Sequence, residues 1–295
     1  MKQKFFTLAV VATMFAACTQ SDEVINPEIP QESPMTVTAE VDEMGETRAG
    51  YDANNLPSTF YLTVTQGATG YDYSNVTMAQ QNSGKYTSTT ELKWKDATSR
   101  SPFVSAYTIN GTSITVTTDQ ITADKVKSND LLGAVKASGA SSDDVTISDD
   151  QIQINFRHLL CKLDVTYEWG SEFTDQNKSI ERVIYQGFGT SATLDRTAAT
   201  VTASATGNIQ GYVNGSKSEA IFAPKSSNPK LEIVAKINDV ERTFAVNVTA
   251  PNGGFNSGNC YTMNVTIGGS PVSSVSANIS NGWGTTITGG NLATN

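Results

Sequence analysis

The sequence has few of the residues on which most enzyme chemistry depends. Among 295 residues there is one histidine, His158, and there are three cysteines. His158 lies inside an apolar, strand-like run, where a core histidine satisfied by a neighbouring backbone group is expected more often than a catalytic one. Ser-His-Asp and Cys-His arrangements would all depend on this one side chain. We therefore predict a protein that is not an enzyme.

Spacings typical of metal or nucleotide sites are lacking as well. The cysteines follow neither a CxxC nor a CxH pattern, which argues against structural zinc. The acidic pairs Asp143-Asp144 and Asp149-Asp150 lack the DxDxDG spacing of calcium loops and are expected in solvated loops. No phosphate-binding glycine loop precedes a helical pattern. We predict no metal site and no cofactor.

Positive charge is also scarce. The chain has 20 basic and 29 acidic residues, for a formal net charge of −9. Such a surface repels phosphate backbones, so nucleic acid is not an expected partner. Charged residues make up 17% of the chain, while Thr, Ser, Asn, Val and Gly are abundant. This composition favours pleated sheet and turns over helical surfaces, and it predicts an all-β protein.

The first residues have the pattern of a lipoprotein signal peptide. Lys2 and Lys4 precede an apolar stretch that is too short to span a bilayer, and Ala16-Ala17-Cys18 is a small-residue cleavage site that ends in cysteine. We expect residues 1–17 to be removed and Cys18 to be acylated. The alternative is an ordinary cleaved signal with a chance cysteine. Residues 18–34, acidic and interrupted by prolines, are expected to form a lipidated tether that holds the body of the protein off the membrane.

Two cysteines remain once Cys18 is lipidated. Export would permit a disulfide between Cys161 and Cys260. Each also lies in an apolar, alternating segment, where a thiol packs as a small hydrophobic group. Both possibilities stay open from the sequence.

The first strand is predicted directly after the tether. Met35, Val37, Ala39 and Val41 alternate with polar residues, the pattern of a strand with one buried face. The charged, glycine-containing segment that follows places Arg48 in an exposed loop.

The rest of the chain reads as short strands separated by turns, which is typical of β-sandwiches. We predict one domain over residues 49–168 and a second over 169–295, with residues 151–167 closing the first core. Asn238-Asp239 is expected to be a hairpin turn. Only residues 131–136 and 179–183 are expected to form single helical turns. Near the end of the chain, alternating residues could form a strand that pairs within its own domain or leaves it: Val275, Ala277, Ile279, Trp283 and Ile287.

Several short motifs, in this order, resemble the landmarks of fimbrillin-like proteins. The clearest is Phe156-Arg157-His158 followed by Lys162-Leu163. The others are Leu92-Lys93-Trp94, Asp130-Leu131-Leu132-Gly133-Ala134, Ile221-Phe222-Ala223-Pro224, Gly258-Asn259-Cys260-Tyr261 and Ile279-Ser280-Asn281-Gly282-Trp283.

That resemblance implies two tandem transthyretin-like Greek-key β-sandwich domains and assembly into a type V pilus. Subunits of such pili are exported as surface lipoproteins and cut by an arginine-specific protease, here between Arg48 and Ala49. Residues 35–48 would then leave, and a donor strand around 275–287 of a neighbouring subunit would take the vacated groove. The implied partners are other pilus subunits in a head-to-tail homo- or hetero-polymer, the protease, the outer membrane, and host or bacterial surface ligands. The final location would be the fimbrium.

A second hypothesis is a surface lipoprotein that does not polymerise. It would bind glycans through aromatic side chains such as Tyr71, Tyr73, Trp94 and Trp169, or it would anchor or cap the pilus.

Overall fold

The structure is a computed structural model, and it describes residues 32–41, 50–82, 84–96, 100–251 and 254–268, with the backbone of 275–276 and 278–280. Nearly all regular structure in these residues is β-strand, which confirms the predicted all-β fold. One short helix, α1, covers Ala123–Lys127, and a single 3₁₀ turn covers Ser171–Phe173. The Thr122 hydroxyl oxygen caps α1 by accepting a hydrogen bond from the Lys125 N–H.

The first half of the chain contributes eleven strands. They are β1 (Ser33–Pro34), β2 (Thr36–Val41), β3 (Thr59–Thr65), β4 (Tyr73–Asn82), β5 (Lys85–Thr87), β6 (Lys93–Trp94), β7 (Phe103–Tyr107), β8 (Ser113–Thr115), β9 (Leu132–Lys136), β10 (Val145–Ser148) and β11 (Gln151–His158). Eight of them form one sheet in the order β10-β11-β2-β5-β4-β3-β7-β9. Because β9 also pairs with β11, this sheet returns onto itself and encloses its core.

A glycine permits the closure of this sheet. Gly133 of β9 lies opposite Arg157 of β11. A Cβ atom at position 133 would come within 2.5 Å of the Leu159 side chain and 2.6 Å of the Tyr107 ring. A larger residue would push the two strands apart at this point.

The second half of the chain builds another set of sheets. Its strands are β12 (Cys161–Trp169), β13 (Lys178–Asp195), β14 (Thr200–Gln210), β15 (Tyr212–Asn214), β16 (Lys217–Ile237), β17 (Val240–Thr249), β18 (Cys260–Ile267), β19 (Val275–Ser276) and β20 (Asn278–Ser280). The main order is β14-β13-β16-β12-β18-β20. β16 is long enough to pair with β12 at one end and with β13 and β17 at the other.

Two hydrophobic cores follow this division. The first is lined by β2, β3, β7 and β11, with Phe60, Trp94 and Phe156 fully buried. The second is lined by β12, β13, β16 and β18, with Tyr185 and Phe222 fully buried. Short β8, although it lies early in the chain, pairs with β13 and so joins the second core.

The run predicted to close the first core over residues 151–167 is divided between the two cores. Gln151–His158 pairs in the first sheet, whereas Cys161–Trp169 pairs with β16 and β18. Strand pairing therefore changes at residues 159–160, upstream of the predicted limit at 168. Alternating apolar residues continue through both strands, so the sequence gives no sign of the change in partner.

Both predicted helical turns are wrong. Residues 132–136 form β9 between β7 and β11, and residues 179–183 lie within β13. Pairing with neighbouring strands outweighs the local preference of such short segments. The predicted hairpin turn at Asn238 and Asp239 is confirmed, because both residues have positive φ, at 48° and 66°, and they join β16 to β17.

Candidate functional site

The candidate site is the groove between β5 and β11 in which β2 lies, here called the seat of β2. β2 is the strand predicted to be removable. β2 lies between β11, to which it is parallel, and β5, to which it is antiparallel. Every other pairing of this sheet, within the described residues, is antiparallel. β2 is therefore inserted between two strands that could each present a free edge without it.

The inner face of β2 is apolar along its whole length. Met35 is 9% exposed, and Val37, Ala39 and Val41 are 3–4% exposed, as the alternation predicted. Val37 lies opposite Tyr86, and Val41 lies opposite Phe156. Phe60 packs edge-on against both of these rings, with centroids 4.8 Å and 5.2 Å away. These three rings belong to the same buried core as Val37, Ala39 and Val41.

The backbone comes close to a neighbouring turn at the same middle position. The Ala39 N–H donates to the Gly84 carbonyl oxygen at 2.8 Å. Gly84 has φ of +73°, and a Cβ there would lie 3.2 Å from the Ala39 carbonyl oxygen. A side chain at position 84 would therefore press on the backbone of β2 at Ala39.

Polar side chains hold the outer face of β2. The Gln151 amide donates to the Thr38 hydroxyl at 2.7 Å, and the Gln153 amide donates to the Glu40 carboxylate at 3.1 Å. These contacts are partly exposed, so each contributes at most about 1 kcal/mol to holding the strand.

Charged and aromatic groups surround the start of the strand. The Ser33 hydroxyl donates to Asp150 at 2.6 Å, and Arg100 binds the same carboxylate at 2.7 Å while its guanidinium lies 5.3 Å from the Trp94 ring centroid. Glu32 forms an ion pair with Lys93 at 3.6 Å. The Asp149-Asp150 pair, which was expected to be solvated, thus supplies a carboxylate that binds Arg100.

A buried carboxylate holds the chain just after the predicted cleavage loop. The Tyr51 N–H donates to Asp130 at 2.8 Å, and the His158 Nδ1 lies 2.7 Å from the other oxygen of Asp130. The side chains of Asp130 and His158 are at most 3% exposed. His158 is a core residue as predicted, but its partner is a carboxylate and not a backbone group. From the sequence, Asp130 was recognised only as part of a family motif. Its contact with His158 was not predicted, because the two residues are far apart in the sequence.

Several predicted site residues lie outside the described part of the chain. They are Cys18, Arg48, Ala49, Ala277, Trp283 and Ile287. Of the predicted donor strand, β19 and β20 contain Val275 and Ile279. These two strands pair with β17 and β18 of the second half of the same chain, over two and three residues.

The two remaining cysteines, Cys161 and Cys260, are both buried. Cys260 lies opposite Lys162 in the parallel pairing of β18 with β12. Cys161, the neighbour of Lys162, therefore faces the other side of the sheet, because side chains alternate along a strand. Burial raises the pKa of the Cys161 thiol. This arrangement favours the second of the two open possibilities, thiols that pack as small hydrophobic groups.

A buried ion pair lies on the face of β12 opposite to that of Cys161, and the sequence did not reveal it. Lys162 is fully buried, and its ammonium lies 2.5 Å from Glu219 and 3.3 Å from Asp164. Burial by itself lowers the pKa of Lys162, but the two carboxylates outweigh it and the pKa is raised. The cluster joins β12 to β16 and supports the second core.

Other chemistry is sparse where the structure can be described. Across the described ranges, no group of three or more His, Cys, Asp or Glu side chains is placed to hold a metal ion. No helix among these residues is long and apolar enough to span a membrane. Trp94, one of the aromatic residues proposed to bind glycans, is fully buried.

Comparisons with known proteins agree with this fold. The sequence model of the family described as fimbrillin-like matches residues 47–283. A protein of Bacteroides uniformis, provisionally named as the fimbrium subunit Fim1C, is 29% identical over 148 residues. That match covers 48% of this chain and 47% of the relative, so this chain spans about half the length of the curated relative.

Solved structures with the same fold come from Bacteroides and Porphyromonas species. A crystal structure from Bacteroides uniformis, provisionally described as a cell adhesion protein, covers 85% of this chain and 99% of its own, with 22% identity and a TM-score of 0.60. A similarly described protein of Bacteroides ovatus has 16% identity and a TM-score of 0.59, over 84% of this chain and 96% of its own. The tip fimbrial protein Mfa3 of Porphyromonas gingivalis has 11% identity and a TM-score of 0.51, over 84% and 99%. At these identities the likeness is one of fold.

Proposed function

Because the chain belongs to the fimbrillin-like family, we propose that it is a structural and adhesive subunit of a type V cell-surface pilus. It is exported as a lipoprotein through Cys18, cut between Arg48 and Ala49, and polymerised when a strand of a neighbouring subunit replaces β2. Its partners are other pilus subunits, an arginine-specific protease, and the outer membrane until the lipidated segment is released.

The observation that carries this proposal is the position of β2 between β5 and β11. Removal of this strand would leave unpaired backbone groups on two neighbours and four empty apolar positions. A sheet edge of this kind is completed by adding a strand from another molecule. One donor and one acceptor on each subunit give a head-to-tail contact, which produces an open filament when no ring closes.

The chain on the two sides of the cleavage loop is held differently. Downstream of the loop, Tyr51 is bound to the buried Asp130. Upstream, β2 is held by strand pairing, by apolar contact and by the polar groups near Ser33. Cleavage at Arg48 would therefore turn β2 into a separate peptide. The new N-terminal segment of the first domain would stay in place, because Tyr51 remains bound to Asp130.

Charge also favours assembly after cleavage. Residues 49–295 have 17 basic and 21 acidic residues, against 20 and 29 in the whole chain. The processed subunit has less net negative charge, so neighbouring subunits repel each other less.

An arginine-specific protease provides the test. Treated protein should acquire an N-terminus at Ala49 and form ladders of stable oligomers on electrophoresis. Arg48→Ala should block both, whereas Arg242→Ala, which changes an exposed arginine of β17, should block neither. Fibre assembly that persists on cells carrying Arg48→Ala would refute the polymerising role.

One observation favours the alternative role of an anchor or cap. β19 and β20 pair within the chain's own second half, so the terminal segment is not free. A subunit that retains this strand would accept a donor without providing one. Cleaved protein that binds one added strand but never forms ladders would support this role. The glycan-binding alternative is weaker, because Trp94 is fully buried and the Tyr71 hydroxyl donates to Glu32.

A further inference from the structure

The described part of the segment that would leave after cleavage, residues 32–41, is held at a second place outside the seat of β2. β1 (Ser33–Pro34) forms a separate two-stranded sheet with β6. The Glu32 carboxylate accepts a hydrogen bond from the Tyr71 hydroxyl and lies 3.6 Å from the Lys93 ammonium. The first residues of the segment therefore bind polar groups that the apolar inner face of the seat does not offer.

Asp150 is the centre of this second attachment. Its carboxylate accepts from the Ser33 hydroxyl at 2.6 Å and binds Arg100 at 2.7 Å. Arg100 also donates to the Ser33 oxygen at 3.1 Å, so this hydroxyl lies between two charged groups. The backbone carbonyl of Asp150 accepts from the Thr36 N–H at 2.9 Å. Hydrogen bonds to charged groups are stronger than those between neutral groups, so this end of the segment is firmly held.

The end of β2 next to the cleavage loop has less support. β5 pairs with β2 over only two residues, Val37 and Thr38. Among the described residues, Glu40 and Val41 pair with β11 alone. Segments with fewer contacts open first in local fluctuations of a folded protein. We therefore expect the cut end of β2 to open before the end at Ser33.

Four residues around the start of the segment are called the retention clamp here: Tyr71, Lys93, Arg100 and Asp150. We propose that the retention clamp keeps the severed first strand bound after cleavage, so that the strand leaves from its cut end and the clamp opens last. This inference rests on the proposed function, and it adds a release step that separate residues control. It holds whichever strand later enters the seat.

A separate release step protects the cut subunit. As long as β2 stays in place, β5 and β11 are both paired, and the sheet presents no new free edge. Free edges of this kind pair with other chains without selection. The retention clamp therefore delays exposure of the seat until another strand displaces β2.

The rate at which the cut strand leaves tests the clamp. Protein that starts at Cys18 is labelled with a fluorophore on that thiol, because the other two cysteines are buried. It is cut at Arg48 and mixed with an excess of unlabelled peptide of residues 32–41, which prevents rebinding. Fluorescence anisotropy then follows the release of the labelled segment.

Two substitutions in the leaving segment form a matched pair. Ser33→Ala removes a hydroxyl that binds two charged groups, and it should speed release about tenfold. Thr38→Ala removes a hydroxyl of the same segment that binds the neutral amide of Gln151, and it should speed release less than about threefold. In chains with Asp150→Asn, Ser33→Ala should add little, because both changes remove the same contact. Equal effects of Ser33→Ala and Thr38→Ala would overturn the proposal.

Salt dependence tests the contribution of Lys93. Its ion pair with Glu32 is partly exposed, so added salt should weaken it and speed release. Glu32→Gln should release the strand faster at low salt and should lose most of this salt dependence. The same salt dependence in both chains would overturn the assignment of Lys93 to the retention clamp.

Hydrogen exchange of the cut protein, before the competing peptide is added, measures the order of opening. The Glu40 amide should exchange at least about tenfold faster than the Thr36 amide, which is bound to Asp150. The reverse order would mean that the strand leaves from its clamped end, and it would overturn the proposal.

The outcomes separate this inference from the proposed function. If the arginine-specific protease leaves Arg48 intact, the proposed function fails. A chain with the recognition sequence of an unrelated protease in place of residues 43–48 then provides the same cut strand, and the release rates still decide the inference. If the strand is cut, ladders form, and all variants release it at the rate of the unaltered chain, the retention clamp is overturned while the proposed function stands.

Discussion

Loss of β2 should destabilise the first half of the chain far more than the second. The perturbation is a chain that starts at Ala49 and therefore lacks residues 1–48, which include β1 and β2. Met35, Val37 and Val41 are each at least 91% buried, and such side chains contribute about 1.5–2.5 kcal/mol each. Ala39 adds about 0.8 kcal/mol for its methyl group. The expected loss is about 5–8 kcal/mol, which is comparable to the whole stability of a typical domain.

Calorimetry of the truncated chain measures this loss. The transition that belongs to the first core should move to a much lower temperature or disappear, while the transition of the second core stays in place. A synthetic peptide of residues 33–41 should restore the first transition, since it supplies the missing strand. The same peptide with Ala39→Leu is the matched control and should restore it poorly.

Two results would refute this reasoning. An unchanged first transition in the truncated chain would mean that the sheet closes without β2. Equal rescue by the two peptides would mean that the groove does not distinguish residues at the buried position 39.

Three further predictions concern buried polar groups. Asp130→Ala should lower the free energy of unfolding, measured with denaturant, by about 2–4 kcal/mol, because a buried acceptor for two donors is lost. The segment at Tyr51 should also become accessible to proteolysis, and unchanged proteolysis would contradict the anchoring role of Asp130. Glu219→Leu should lower the free energy of unfolding by about 3–5 kcal/mol, because it leaves the buried charge of Lys162 without its nearest partner. Adding Lys162→Met should recover most of this loss. A double variant as unstable as the single one would count against this explanation. Burial raises the pKa of Tyr107 to about 12, so its contribution to stability is complete below pH 10, where the unfolded phenol also keeps its proton, and is lost as the pH rises from 10 towards 12. Ultraviolet titration compared with Tyr107→Phe should show this phenol ionising well above pH 10, and ionisation near pH 10 in the folded protein would contradict it.

Strand-level features of the first core could be predicted from the sequence. The alternation at residues 35–41 gave the buried face of β2 correctly, because side chains of a strand point to opposite faces in turn. The turn at Asn238 and Asp239 was also predictable, since these residue types tolerate positive φ. Such signals are local, and they depend only on neighbouring residues.

Short segments without strong alternation were not predictable in the same way. Residues 132–136 look like one turn of a helix, yet they close the first sheet between β7 and β11. Gly133 is needed there because of Leu159 and Tyr107, and these two residues are distant from it in the sequence. Local preference is weak over five residues, so the partner strands decide the conformation.

The candidate site shows the same division. By itself the sequence determined which residues of β2 are buried and that the composition favours strands. Only the tertiary structure decided that β2 lies between β5 and β11, that the turn at Gly84 approaches the backbone of Ala39, and that Asp130 binds both Tyr51 and His158. The reason is physical: burial patterns arise from successive side chains, whereas pairing partners and buried ion contacts join residues that only the folded chain brings together.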